Sequence, residues 1–153
     1  MSTEIKVHRS VNVPLAPERA FALFTARMTE FWPREHSIGS SPLDRVVVEP
    51  HVGGRWYERG TDGSECDWGR VGEWQPPHRV VLLWQLGADW KFNPELETEV
   101  EVIFTEAASG GTLVELRHRH LERYGDQAQT MYAVFDSPGG WTGTLTAFAE
   151  AAA

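Results

Sequence analysis

Three of the chain's seven tryptophans fall between Glu49 and Pro77, a stretch that also carries the pairs Gly53-Gly54 and Pro76-Pro77. Gly and Pro pairs are turn chemistry, so the aromatic residues between them belong to short, consecutive strands. Aromatic side chains on such strands build either a dense core or the wall of an apolar cavity. The crowding here favours the cavity and leaves its ligand unnamed.

The hydrophobic period supports strands over the whole middle of the chain. Residues 46–48, 55–59, 66–74 and 79–85 read as short strands separated by Gly53-Gly54, Thr61-Asp62-Gly63 and Pro76-Pro77. Thr98, Val100, Val102 and Phe104 alternate with Glu97, Glu99 and Glu101, which predicts one buried face and one acidic, solvated face. Ser109-Gly110-Gly111 turns the chain into a strand over 112–121. There Glu115, Arg117 and Arg119 share one side, opposite the glutamates in a hairpin, and Val114, Leu116, His118 and His120 share the other. By this parity both histidines point inward. Over 66–74 parity alone leaves two faces open, Trp68 and Trp74 against Gly69 and Val71.

Helical spacing appears only at the two ends. After a strand through Ile5, Val7, Val11 and Val13, Pro17 opens a helix whose Ala20, Phe21, Phe24 and Met28 form one stripe, ending near Phe31-Trp32-Pro33. Ala128, Met131, Tyr132 and Phe135 form a second stripe, and Ser137-Pro138 restarts the helix with Trp141, Leu145, Phe148 and Ala152 facing inward. The predicted fold is α+β: a curved antiparallel sheet of six to seven strands gripping a long C-terminal helix, with short helices after the first strand. With no linker composition in its 153 residues, the chain reads as a single domain, 1–153.

A net charge of -8 argues against nucleic acid and anionic membrane surfaces as partners. The lone Cys66 cannot form an internal disulfide, and Met1 to Ser10 lacks the apolar core of a signal peptide, so a cytoplasmic protein is expected. The longest apolar run, Val80 to Trp84, is too short to span a bilayer.

Order and spacing of several motifs carry a resemblance. They are Ala16-Pro17-Glu18-Arg19-Ala20-Phe21, Val52-Gly53-Gly54-Arg55-Trp56, Gly69-Arg70-Val71, Pro76-Pro77-His78-Arg79-Val80 and Trp84, followed by Gly111-Thr112, His118 and Gly139-Gly140-Trp141. In these the chain resembles the helix-grip superfamily of steroidogenic-acute-regulatory-related lipid-transfer domains, birch pollen allergens and polyketide cyclases. Within it the chain is most similar to the bacterial branch named after activators of the heat-shock chaperone ATPase. The resemblance implies a cavity between sheet and C-terminal helix, with Trp56 and Trp84 on its concave side.

The candidate ligand-binding residues are Trp32, Trp56, Glu58, Leu82, Trp84, His118, His120, Tyr132 and Trp141. Tryptophans would supply apolar wall, the histidines polar contacts, and Trp32 with Tyr132 a gate at the mouth. Trp32, Trp56, Trp68, Trp74, Trp84 and Trp141 are equally good core, and at least half should be that. Two histidines two apart on a strand suit a metal only with further ligands, which no spacing supplies, so no metal and no cofactor is expected. Glu58, if buried beside Trp56, is a candidate acid or base, or else the partner of an arginine such as Arg70. Cys66 lies between Glu65 and Asp67, whose charges oppose a thiolate.

The expected function is binding of a small hydrophobic or amphipathic molecule. One alternative is a cyclase- or dehydratase-like enzyme with His118 and Glu58 as candidate catalysts. The branch name implies a third role, as chaperone ATPase cofactor. Such activators use further chaperone-binding sequence, so no stimulation is expected of this single domain. A homodimer through an exposed strand edge or aromatic patch is a possible partner arrangement.

Overall fold

The computed structural model describes residues 5–108 and 110–153. Met1 to Glu4, part of the segment read for a signal peptide, and Ser109 of the last turn lie outside the described residues. Seven strands follow in chain order: β1 (Val7–Val13), β2 (Leu43–Val48), β3 (Arg55–Gly60), β4 (Glu65–Gln75), β5 (Arg79–Trp84), β6 (Thr98–Glu106) and β7 (Thr112–Arg119). The first helix, α1 (Pro17–Phe24), follows β1 and is itself followed by two single turns, Met28–Glu30 and Arg34–His36. The chain closes with α2 (Ala128–Asp136) and α3 (Gly143–Ala152). No described helix is long and apolar enough to cross a membrane.

All strand pairs are antiparallel, in the order β1-β7-β6-β5-β4-β3-β2, so a meander from β2 to β7 is closed on one side by the chain's first strand. The α+β class and the curved seven-stranded sheet are as the sequence predicts. Glu99 faces Arg119 and Glu101 faces Arg117 across β6 and β7. Their side chains pair at 3.0 and 3.5 Å, and Arg79 joins Glu101 at 2.8 Å. This half-exposed ladder fixes register more than it adds stability.

The inner face of the sheet carries Val80, Leu82, Val100, Val102, Val114 and Leu116, all sealed from solvent. On β4 two register shifts settle the question that parity leaves open. The first sets Gly69 opposite Trp56 while Tyr57 pairs with Asp67, so Trp68 is an extra residue. The second skips Gly72 between Val71 and Glu73. Each bulge reverses the alternation, and so Trp68, Gly69, Val71 and Trp74 all lie on the side of Trp56, Val80, Leu82 and Trp84. Gly69 is required there: a Cβ would stand 1.6 Å from the Leu83 carbonyl oxygen.

The C-terminal cover is two helices rather than one uninterrupted rod. Helix α2 stops at Asp136, and the chain passes through Pro138–Thr142 with Gly140 at φ -87°, ψ -132° before α3 begins. Pro138 has no N–H to continue the ladder, and a Cβ on Gly140 would lie 2.4 Å from the Phe135 carbonyl oxygen. The break aims Trp141 at the sheet. Beyond it, Phe148 packs edge-on to Phe24 and Phe31 at 5.6 and 5.2 Å, locking α3 to α1 and the turn after it.

Candidate functional site

A cleft of about 510 Å³ opens between the sheet and the broken C-terminal helix. Its floor is Trp68 and Trp84 from β4 and β5. One wall is Trp32 with the segment 35–38, and the other is Phe135, Trp141 and Thr144 from the helix break. Leu86, Asp89, Trp90 and Lys91 from the β5–β6 loop form the rim. The volume suits a drug-sized molecule, and an apolar wall with few polar groups is the usual make-up of such sites.

The wall tryptophans hold one another edge to face. Trp84 meets Trp56 at 5.6 Å, Phe135 at 5.4 Å and Trp141 at 5.8 Å, and Trp32 meets Trp141 at 6.0 Å. Their N–H donors divide into two kinds. Trp68 donates to Glu58 Oε1 at 3.0 Å, and Trp141 donates to His118 Nδ1 at 3.1 Å. The buried Nε1 atoms of Trp32 and Trp56 have no hydrogen-bond partner among the described residues, while that of Trp84 lies beside the Tyr124 hydroxyl.

His118 is fully buried. Thr98 Oγ1 donates its single proton to the Trp84 carbonyl at 2.9 Å, so its 2.8 Å contact with His118 Nε2 requires the imidazole to donate. Nδ1, which accepts from Trp141, must then be bare. The network therefore assigns a neutral ring, and burial pushes its pKa down to about 3. With both nitrogens engaged and its ring outside the cleft lining, His118 orients Trp141 and does not reach a guest.

Other sequence candidates are also placed differently from expectation. Glu58 is 1% exposed, and its oxygens accept Ile38 N–H at 2.6 Å, Gly39 N–H at 3.2 Å and the Trp68 indole. It ties the 38–39 segment to the sheet, away from the cleft surface, while Arg70 pairs with Glu97 instead. His120 does not point inward: at φ +65° it has left the ladder, and its ring lies 3.7 Å from Glu99 and 3.6 Å from Glu122. Trp56 and Leu82 are sealed in the core beneath the cleft. Tyr132 packs half-buried against the core, and its neighbours on α2, Val134 and Phe135, line the cleft instead. Of the nine candidates, Trp32, Trp84 and Trp141 stand in the wall. Cys66 has its thiol pKa raised by burial and by Glu58 and Asp67. Among the described residues no three His, Cys, Asp or Glu side chains converge as metal ligands.

Residues 14–153 match the family described as "Activator of Hsp90 ATPase homolog 1-like protein". The chain belongs to this family. An anthrahydroquino-gamma-pyrone synthase, Txn09, solved in complex with a compound designated SUM, is 40% identical over 95% of each chain, with a TM-score of 0.67. The self-sacrificing resistance protein CalC from Micromonospora echinospora is 26% identical over 95% of this chain and 92% of that one, with a TM-score of 0.70. Protein Ms6760 from Mycobacterium smegmatis, 16% identical over 97% and 91% with a TM-score of 0.68, shares the fold. No curated protein sequence matches.

In this Hsp90-activator-homolog-like chain the residue that sequence reasoning missed is Trp90. It is 40% exposed at the cleft rim, meets Phe135 edge-on at 6.3 Å, and adopts φ +62°. A bulky residue with positive φ marks a constrained position, and such outliers gather at functional sites. The loop that carries it is well braced. Leu86 bridges to Phe92, Gly87 N–H bonds Lys91 O at 2.9 Å, and half-buried Tyr124 donates to Leu86 O at 2.7 Å. The available signal was an aromatic residue inside the turn-like run Gly87-Ala88-Asp89-Trp90, where no core face calls for one.

Proposed function

We propose that the cleft binds a flat, hydrophobic or amphipathic small molecule against the corner formed by Trp84 on the sheet and Trp141 at the helix break, with Trp90 closing its outer edge. The observation that carries this reading is a 510 Å³ cleft lined by five tryptophans and Phe135, with few polar groups among them. The name of the 40% identical synthase supports a fused-ring aromatic guest. A cytoplasmic setting is part of the same reading, since Cys66 is a free thiol.

A second reading, ring closure of such a guest, is favoured by that synthase's name. His118 and Glu58 have no free proton-transfer position for it. Glu35 and His36 in the wall and Asp89 and Lys91 at the rim are the titratable groups that line the cleft. They are the residues to vary if turnover is found.

Trp90→Ala tests the binding reading without disturbing the core. Half-exposed as it is, its removal should leave Tm within about 2 °C of the parent. It should weaken binding of a flat tricyclic aromatic about tenfold, measured by calorimetric titration. If a panel of such compounds neither binds nor shifts Tm, the reading fails.

A further inference from the structure

We infer that the guest of this cleft carries a hydrogen-bond acceptor, a ketone, quinone or phenolate oxygen, seated against the indole N–H of Trp32. The inference rests on the cleft being the binding site. It adds the polar chemistry of the guest, which an apolar wall alone leaves open.

The wall's own hydrogen bonding carries the argument. Four tryptophans line the deeper part of the cleft, and their side-chain polar atoms are donors only. Two of those donors are consumed inside the protein, Trp68 by Glu58 and Trp141 by His118. Of the remaining two, that of Trp84 lies beside the Tyr124 hydroxyl, and that of Trp32 is buried with no partner on a side chain that lines the cleft. Thr144, the other polar side chain of the helix wall, directs its hydroxyl to the Gly140 carbonyl at 3.3 Å and so offers no competing proton. A buried unpaired donor is costly, and a guest oxygen that meets it recovers that cost on binding. A guest that offers only hydrocarbon, or only donors, leaves the Trp32 N–H unmet.

Fluorenone and fluorene separate this inference from the reading it rests on. They share three flat fused rings and differ in the carbonyl, and fluorene is the more hydrophobic, so burial alone favours it. Equilibrium dialysis against each should give binding about tenfold tighter for fluorenone. In ¹H–¹⁵N spectra, fluorenone should move the indole signal of Trp32 downfield, while those of Trp68 and Trp141 follow the ring-current shifts that fluorene also causes. Equal affinity with matching indole shifts overturns the inference and leaves the cleft as a binding site. Failure of both compounds to bind overturns the inference and the binding reading together.

Discussion

Glu58→Ala is expected to lower the unfolding free energy by roughly 3–5 kcal/mol, enough to reduce Tm by about 10 °C. The effect follows from three donors converging on two buried oxygens: the Ile38 and Gly39 amides and the Trp68 indole. Alanine leaves all three without a partner, and each buried unmet donor costs about 1–3 kcal/mol. The damage should spread to the cleft, because the segment after Trp32 is held to the sheet by this carboxylate. Glu58→Gln keeps one acceptor oxygen and turns an amide N–H toward the other donors, so it should lose a smaller part of the same stability. Urea denaturation of the three proteins gives the comparison. A Glu58→Ala variant within about 1 kcal/mol of the parent would show that the strap is not structural, and would return Glu58 to consideration as an acid or base.

His118 should govern much of the protein's sensitivity to acid. Its pKa is about 3 in the native state, while the unfolded chain titrates near the ordinary value of about 6.5. Above the higher value neither state binds the proton, and the neutral ring's contribution is complete. As pH falls through the window between the two values, only the unfolded state gains a proton, and stability drops by about 1.4 kcal/mol per pH unit. Below the native pKa the loss is complete. His118→Gln keeps an acceptor for Trp141 and a donor for Thr98 but cannot titrate. Between pH 7 and pH 4 it should therefore lose roughly 3 kcal/mol less than the parent in urea titrations. Parallel curves for the two proteins would contradict the buried neutral ring. Protonation would also place an N–H against the Trp141 indole N–H, so acid should loosen the cleft wall before the whole fold.

How much of this was legible in the sequence depends on whether the backbone stayed regular. Period-two alternation located the strands, and the facing glutamates and arginines of β6 and β7 set the hairpin register correctly. Ser137-Pro138 was legible as the start of the last helix, but the non-helical Gly140 that breaks the cover and aims Trp141 was not. Parity failed where the backbone departed from it. Two bulges on β4 put Trp68, Gly69, Val71 and Trp74 on one side, which no alternation rule yields. His120 follows β7 by a single residue, yet its left-handed backbone turns it outward to Glu99 and Glu122. The roles of Glu58 and His118 depended on partners 10 to 23 residues away in sequence, Trp68 and Trp141. Residue type alone suggested chemistry for both, whereas their hydrogen bonds make them braces. Trp90 escaped notice because it sits in a loop, outside any periodic pattern.

A flat guest is expected to lie against Trp84 and Trp141, under Trp90. A crystal structure grown with fluorenone tests this most directly. The expected result is the tricycle inside the cleft, in contact with Trp84 and Trp141, its carbonyl oxygen within hydrogen-bond distance of the Trp32 Nε1. Fluorenone found only elsewhere on the protein, with the cleft unoccupied although binding is saturated in solution, would contradict it.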